Sequence, residues 1–135
     1  MNSSFVRLLL VGSISLGLFG GLAKPNAGDW VRWRGPNLNG ISSETGWLTK
    51  WPDDGPKRLW KAKVGTGFSS LAVANGNVYT LGNCGRGRGE EKDTVFCFDA
   101  ATGKVIWSHA YEAKLDPKYY DGGPSGTPTV DGDRV

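Results

Sequence analysis

The fold of this 135-residue chain is decided by the stretch VFCFDAATGKVIW, residues 95–107. Two runs of β-branched and aromatic residues flank a short polar segment, which is the pattern of two strands joined by a turn. The carboxylate of Asp99 can accept hydrogen bonds within that turn, and Gly103 can supply a positive φ there. The stretch therefore predicts a β-hairpin whose second strand carries Trp107.

The same pattern extends upstream, where Asn75-Gly76 is a strong signal for a two-residue hairpin turn. Short β-compatible runs lie on both sides of it, and tight turns separate them. The predicted strands are Phe68–Ala74, Asn77–Leu81, Thr94–Phe98 and Val105–Tyr111. Four consecutive strands joined in this way form an antiparallel meander, so the sequence predicts an all-β protein.

The chain also repeats itself. Ser69–Val78 aligns without gaps to Gly126–Val135 at an offset of 57 residues, and Lys57–Trp60 echoes Lys104–Trp107 at an offset of 47. Four-stranded repeats at such a period are typical of β-propeller blades, which close into rings of about four to eight. Only the first blade and part of a second fit into this length, so we expect the chain to be the N-terminal fragment of a propeller.

The N-terminus has the pattern of a secretory signal peptide. Arg7 precedes an apolar run of about 12 residues, and small residues follow it up to Ala23, the expected cleavage position. Cleavage after Ala27 and an uncleaved N-terminal anchor are the alternatives. A spanning helix needs about 20 apolar residues, so the mature chain is not expected to cross a membrane. We therefore predict a periplasmic or secreted protein.

These observations divide the chain into five segments. They are a signal peptide (1–23), an irregular Trp-rich strap (24–56), a lone outer strand of the closing blade (57–64), the first blade (65–111), and an inter-blade loop with the truncated start of the second blade (112–135). Strand direction places the loops 65–67, 82–93 and 112–125 at one end of the sheet. The turns 75–76 and 99–104 are expected at the other end. The longer loops at the first end are where a ligand is expected.

Composition narrows the function. A formal net charge of +3 argues against a protein that coats nucleic acid or an anionic membrane. Export permits a disulfide between Cys84 and Cys97, but Cys97 can equally be a small buried side chain within its apolar run. Two cysteines and His109 do not make a zinc site, so no metal ligands and no catalytic residues are predicted.

Several other groups have both a binding and a structural interpretation, and the structural one is favoured for each. They are the glycine-rich run Gly85–Gly89, the strap residues Arg32, Trp33 and Arg34, the loop residues Tyr119, Tyr120 and Asp121, and the acidic pairs Asp53/Asp54 and Asp131/Asp133. The glycine run joins two strands instead of opening a helix, as a phosphate-binding loop would. The acidic pairs lack the ligand number of a calcium loop.

Residues 95–107 closely resemble the PQQ-like (quinoprotein-type) β-propeller repeat with its tryptophan-docking motif A-x-D-x-x-T-G-K-x-x-W. Asp99, Thr102, Gly103, Lys104 and Trp107 match the motif, and Cys97 stands where the motif prefers Ala. The strap is similar to the Asp-Trp-x-Arg-Trp-Arg-Gly-Pro opening of secreted members of the family, here residues 29–36. In this motif the tryptophan of the outermost strand is expected to dock one blade on the next.

The resemblance implies two different functions. The first is a non-enzymatic scaffold like the propeller of outer-membrane protein assembly, which binds protein partners and no quinone. The second is an alcohol or sugar dehydrogenase that uses pyrroloquinoline quinone and calcium, whose ligands would come from blades beyond residue 135. A third interpretation, a carbohydrate-binding propeller, is suggested only by the Trp and Tyr content. No cofactor is evident in this fragment, and a scaffold with protein partners or further blades is the favoured interpretation.

Overall fold

The computed structural model describes residues 28–46, 48–85, 91–118 and 120–135. The predicted signal peptide and most of the glycine-rich run lie outside these residues. The described part contains β-strands and no helix. The strands are β1 (Ala72–Ala74), β2 (Asn77–Cys84), β3 (Lys92–Asp99) and β4 (Val105–Glu112). They form one antiparallel sheet in the order β1-β2-β3-β4, which confirms the predicted all-β meander.

The register divides the side chains between two faces of the sheet. Tyr79 pairs with Cys97, and Cys97 pairs with Trp107, so these three residues lie on one face, which we call the Cys97 face. Val78 pairs with Phe98 on the opposite face, the Phe98 face. A β-bulge lies between the pairs Cys97–Trp107 and Phe98–Val105 and leaves Ile106 without a partner. The bulge keeps Trp107 on the Cys97 face.

Strand β1 is shorter than the predicted Phe68–Ala74, because side chains replace part of its ladder. The backbone N–H of Leu81 donates to the hydroxyl of Ser69 (3.2 Å), and the Thr80 hydroxyl donates to the carbonyl of Ser70 (3.4 Å). Serine and threonine hydroxyls compete with regular ladder bonds in this way. Backbone pairing resumes at Thr66, which exchanges two hydrogen bonds with Asn83.

The Phe98 face is covered by residues 60–64, part of the predicted lone outer strand. This segment forms no ladder within the described residues, but its exposure alternates, with Trp60, Ala62 and Val64 turned inward. It passes so close to β2 that a Cβ on Gly82 would collide with the carbonyl of Val64. Phe98 is therefore almost completely buried, with 2% of its surface exposed.

The Cys97 face packs against the second copy of the repeat. Val130 lies in the core with Ala72, Ala74, Tyr79 and Cys97, and Val31 of the strap packs on the same cluster. The first turn of that copy keeps the strand pairing of its counterpart, although only Gly132 has a positive φ there, whereas both Asn75 and Gly76 do. Asp131 pairs with Arg134 across a two-residue turn, as Ala74 pairs with Asn77, 57 residues earlier. At this turn the aligned residues thus make the same backbone pairing.

The strap connects both copies. Trp30 exchanges two backbone hydrogen bonds with Val73 of β1, and the carbonyl of the next residue, Val31, accepts from the N–H of Val130. Val73 and Val130 are equivalent in the repeat. The strap, which has no strand or helix periodicity, thus lies along the first strand of one copy and reaches the equivalent position of the next.

The disulfide considered for Cys84 and Cys97 is not formed, since both thiols are free. Cys84 lies on the Phe98 face, whereas Cys97 lies on the other face, opposite Tyr79. The two positions are roughly 17 Å apart along the strands, and a disulfide requires Cα atoms within about 7 Å. Cys97 is instead the small buried side chain of the alternative interpretation, and burial raises the pKa of its thiol.

Among the described residues, no helix is long and apolar enough to cross a membrane.

Candidate functional site

The turn after β3 is built around the carboxylate of Asp99. Oδ1 of Asp99 accepts hydrogen bonds from the backbone N–H of Thr102 (2.8 Å) and from its hydroxyl (2.6 Å). The Asp99 backbone closes the turn, because its N–H donates to the carbonyl of Lys104 and its carbonyl accepts from Gly103. Gly103 has a φ of +70°, as predicted from the sequence. The turn is thus closed by hydrogen bonds among its own residues.

These hydrogen bonds stabilise the ionised carboxylate. The hydroxyl and the N–H of Thr102 lower the pKa of Asp99 below its usual 3.8, and the charge of Lys104 contributes in the same direction as the smallest cause. A group whose pKa is lowered by folding stabilises the fold above its unfolded pKa. That stabilisation is lost as the pH falls through the folded pKa.

We therefore expect the melting temperature of the chain to fall as the pH drops below about 4. Asp99→Asn should lower stability near pH 6 and show a shallower loss in acid, because its amide does not titrate. Thermal melts between about pH 6 and 2 measure the stability near pH 6 and its loss in acid. Asp54→Asn, on an exposed residue, is the control and should follow the unaltered chain. Equal acid slopes for Asp99→Asn and the unaltered chain would contradict this role of Asp99.

The indole of Trp60 is docked on this turn. Its Nε1–H donates to the carbonyl of Ala100 at 2.8 Å, although 40 residues separate the two in sequence. The ring covers Gly103 so closely that a Cβ there would lie 2.5 Å from the indole. Its other side approaches Phe98, with ring centroids 6.0 Å apart. The turn 99–104 is therefore a docking surface for the indole, which we call the socket. It requires a glycine under the ring and a backbone carbonyl that can accept the indole N–H.

Trp107, the repeat equivalent of Trp60, has a different environment. It lies on the Cys97 face beside Tyr79, with ring centroids 6.1 Å apart, and 39% of its surface is exposed. It borders a mostly apolar groove of about 340 Å³ between the sheet and the second copy of the repeat. The groove is lined by Leu81, Val95, Trp107, His109, Gly126, Thr127, Pro128 and Val135. Trp107 is thus only partly covered by the described residues.

The three longer loops meet at the opposite end of the sheet, as predicted from strand direction. The N–H of Phe68 donates to the carbonyl of Pro124 (2.8 Å), and Leu115 N–H donates to the carboxylate of Glu91 (3.2 Å). The rings of Phe68 and Tyr120 meet edge to face with centroids 5.0 Å apart. At this end the described parts of the loops are therefore in contact with one another.

Asn83 connects these loops from inside. Its side chain is 1% exposed, and its Nδ2 donates both to Oδ1 of Asp93 (2.8 Å) and to the carbonyl of Ala113 (3.0 Å). Because a carboxylate and a carbonyl oxygen can only accept hydrogen bonds, the Asn83 amide cannot be rotated by 180° to exchange its oxygen and nitrogen atoms. Its Oδ1 is buried without a hydrogen-bond partner. The hydroxyl of Tyr111 completes the cluster on Asp93 Oδ2, and burial together with that carboxylate raises the pKa of Tyr111.

The remaining candidate residues do not form a common site. Trp33 and Tyr120 are exposed, and Arg34 donates to the carbonyl of Asn39 within the strap. Asp131 belongs to the first turn of the second copy, where its backbone pairs with Arg134, and Asp133 lies in the same turn. Tyr119 lies outside the described residues. Within them, no group of three or more His, Cys, Asp or Glu side chains could hold a metal ion.

Sequence reasoning missed two of these features. It placed Trp60 on a predicted outer strand but did not predict its hydrogen bond to Ala100, because the two residues are distant in sequence. It did not single out Asn83 at all. The available signal was a polar residue on the inward side of a strand that otherwise alternates, and such a residue needs partners once it is buried.

No family model matches the chain, and neither a curated protein nor a solved structure matches it. The described geometry therefore carries the functional argument.

Proposed function

We propose that the chain belongs to an exported β-propeller repeat protein of the PQQ-like type, which acts as a non-enzymatic scaffold for protein partners. One observation carries the proposal: the strap holds equivalent residues of two repeats, Trp30 on Val73 and Val31 on Val130. Equivalent positions become neighbours when repeats stack directly on one another. Such stacking is the basis of a propeller, in which each sheet covers the next.

A second contact supports the same stacking. A Cβ on Gly123 would collide with the carbonyl of Thr66, the residue that precedes it by one repeat length of 57 residues. Next to it, the N–H of Phe68 donates to the carbonyl of Pro124, close to its own equivalent Ser125. The segments that precede the first strands of both repeats therefore approach each other at this end, as they would near a common axis.

Exposed apolar surface favours binding over catalysis. All eight residues of β4 are exposed, among them Val105, Ile106, Trp107 and Tyr111. Contiguous exposed apolar surface marks sites of protein association. For the quinoprotein alternative, the resemblance places the ligands of the quinone and of calcium in blades beyond residue 135, and the described residues contain no group of three or more His, Cys, Asp or Glu side chains that could hold a metal ion.

The test has an export arm and a binding arm. The chain is expressed in a Gram-negative bacterium with a photo-crosslinking residue at Ile106 or, as the control, at Leu48, which is even more exposed. We expect the periplasmic chain to begin at Lys24, and we expect position 106 alone to crosslink to a protein identified by mass spectrometry.

A cytoplasmic chain that retains residues 1–23 would overturn the export part. Dye-linked alcohol oxidation that depends on added pyrroloquinoline quinone and calcium would overturn the scaffold part.

A further inference from the structure

The two edges of the sheet differ in how their backbone groups are paired. At the β1 edge, the N–H and the carbonyl of Val73 point away from β2, and both are hydrogen-bonded to the backbone of Trp30 in the strap. At the opposite edge, β4 pairs with β3, and no other described residue pairs with it. Within the described residues, the sheet therefore has one covered edge and one open edge.

The register of β4 shows which of its backbone groups face the open edge. Residues of an antiparallel pair alternate between hydrogen-bonded and non-hydrogen-bonded positions. The N–H of Ala113 donates to the carbonyl of Glu91, so the odd-numbered residues that follow the bulge are the ones bonded to β3. The N–H and carbonyl groups of Ser108, Ala110 and Glu112 therefore point away from the sheet. Such a row of outward donors and acceptors is a template for another strand.

Strand β4 lacks most of the features that usually protect an open edge, which are short length, lysine residues, prolines and bulges. It is eight residues long, contains no proline, and has no Asp, Glu, Lys or Arg from Val105 to Tyr111. Its bulge lies near the beginning of the strand and leaves residues 108–112 in regular pairing with β3. The open edge is therefore suited to a partner strand that is itself largely uncharged.

A second copy of β4 meets this requirement. In a new antiparallel ladder, outward residues have to lie opposite outward residues, so even-numbered positions face even-numbered ones and odd face odd. One of the registers that this allows places Trp107 opposite the partner's Tyr111 at both ends and His109 opposite the partner's His109. All three side chains lie on the Cys97 face, because they pair with alternate residues of β3.

The aromatic side chains favour this register over the others. Trp107 and Tyr111 would face each other at non-hydrogen-bonded positions, where side chains of opposite strands approach most closely and aromatic pairs stabilise a sheet. Trp107 contacts Tyr79 on the side toward the middle of the sheet. Since Trp107 is 39% exposed and Tyr111 is 44% exposed, both rings have surface left for a partner.

We propose that β4 is a dimerisation edge, which pairs antiparallel with β4 of a second copy of this chain in the register that sets His109 opposite the partner's His109. The two sheets then form one continuous sheet across a twofold axis. The inference rests on the proposed function, which it deepens by naming a second copy as a protein partner and β4 as the surface that binds it.

The oligomeric state of the purified chain tests the pairing. Sedimentation equilibrium over a range of concentrations should show monomers in equilibrium with dimers. Ala110→Pro removes an outward N–H but no bond to β3, and proline is tolerated at such edge positions. It should weaken dimerisation by about tenfold or more, whereas Ala110→Val keeps the N–H and should dimerise like the unaltered chain. Hydrogen exchange of the β2 and β3 amides shows whether each variant is folded.

A cysteine on β4 tests the register. His109→Cys should form a disulfide between two copies in the presence of oxidised glutathione, and peptide mapping should locate it at residue 109 of both. Glu112→Cys is the control, because the two copies of residue 112 lie roughly 20 Å apart in this register. The inference would be overturned by equal crosslinking at both positions, or by a folded Ala110→Pro variant that dimerises as tightly as the unaltered chain.

The same measurements separate this inference from the proposed function. A chain that stays monomeric at every concentration, while position 106 crosslinks to a different protein, would overturn the dimer and leave the scaffold standing. A dimer linked through residue 109 that oxidises alcohols with added quinone and calcium would overturn the scaffold and leave the pairing of β4 standing.

Discussion

Replacing Gly103 by alanine should destabilise the chain far more than the same change at Gly76. Both glycines have a positive φ, +70° and +75°, so alanine costs about 1–2 kcal/mol of backbone strain at either position. A Cβ on Gly76 meets open space, whereas a Cβ on Gly103 meets the indole of Trp60 at 2.5 Å. The pair therefore separates the cost of conformation from the cost of displacing the tryptophan.

We expect the additional cost at Gly103 to be about 2–3 kcal/mol, because displacement of Trp60 breaks its hydrogen bond to Ala100 and exposes Phe98. Urea unfolding of both variants measures the difference, and exchange of the Trp60 indole N–H shows whether the ring has moved. Trp60→Phe should lose the hydrogen bond but keep most of the ring contact, so it should lie between the two glycine variants. Equal losses at Gly103 and Gly76 would show that the socket contributes little.

Features formed by residues close in sequence were predicted more accurately than features formed by distant residues. The turn 99–104 was predictable in detail, since Asp99, Thr102 and Gly103 form it among themselves. The meander was predictable because the turns 75–76 and 99–104 were recognisable in the sequence and each joins two consecutive strands. The limits of the strands were less predictable. The hydroxyl of Ser69 shortens β1, and β2 continues to Cys84 because Lys92 pairs with it.

Contacts between distant residues could not be predicted in the same way. The Trp60 indole reaches Ala100 across 40 residues, and the strap reaches Val73 and Val130 across still longer separations. The sequence repeat indicated which positions are equivalent, but only the fold shows that equivalent positions meet. The sequence left two alternatives for Cys84 and Cys97 for the same reason, because strand register decides which face each cysteine occupies.

Asn83→Asp should be the most damaging conservative substitution at the junction of the loops. It removes both donors that hold Asp93 and Ala113, and it places a carboxylate in a fully buried position beside the Asp93 carboxylate. Leaving a buried charge without a partner typically costs about 3–5 kcal/mol. The orphaned Oδ1 of Asn83 shows that no further donor is in place to compensate.

The stability lost in Asn83→Asp should be larger near neutral pH than in acid. Burial and the neighbouring carboxylate raise the pKa of the introduced carboxyl above the value of about 3.9 in the unfolded chain. The ionisation penalty is then largest above the raised folded pKa, shrinks as the pH falls below it, and disappears below the unfolded pKa. The stability difference from the unaltered chain should therefore narrow in acid, although the loss of two donors remains.

Two further variants separate charge from hydrogen bonding in urea melts between about pH 7 and 4. Asn83→Leu also removes both donors but adds no charge, so it should cost about 1–3 kcal/mol at every pH. Asn39→Asp places a carboxylate in the exposed strap, where Oδ1 already accepts the N–H of Ile41, and should change stability by less than about 0.5 kcal/mol. If Asn83→Asp and Asn83→Leu lost the same stability at both ends of this range, the loops would be held by packing and not by the buried amide.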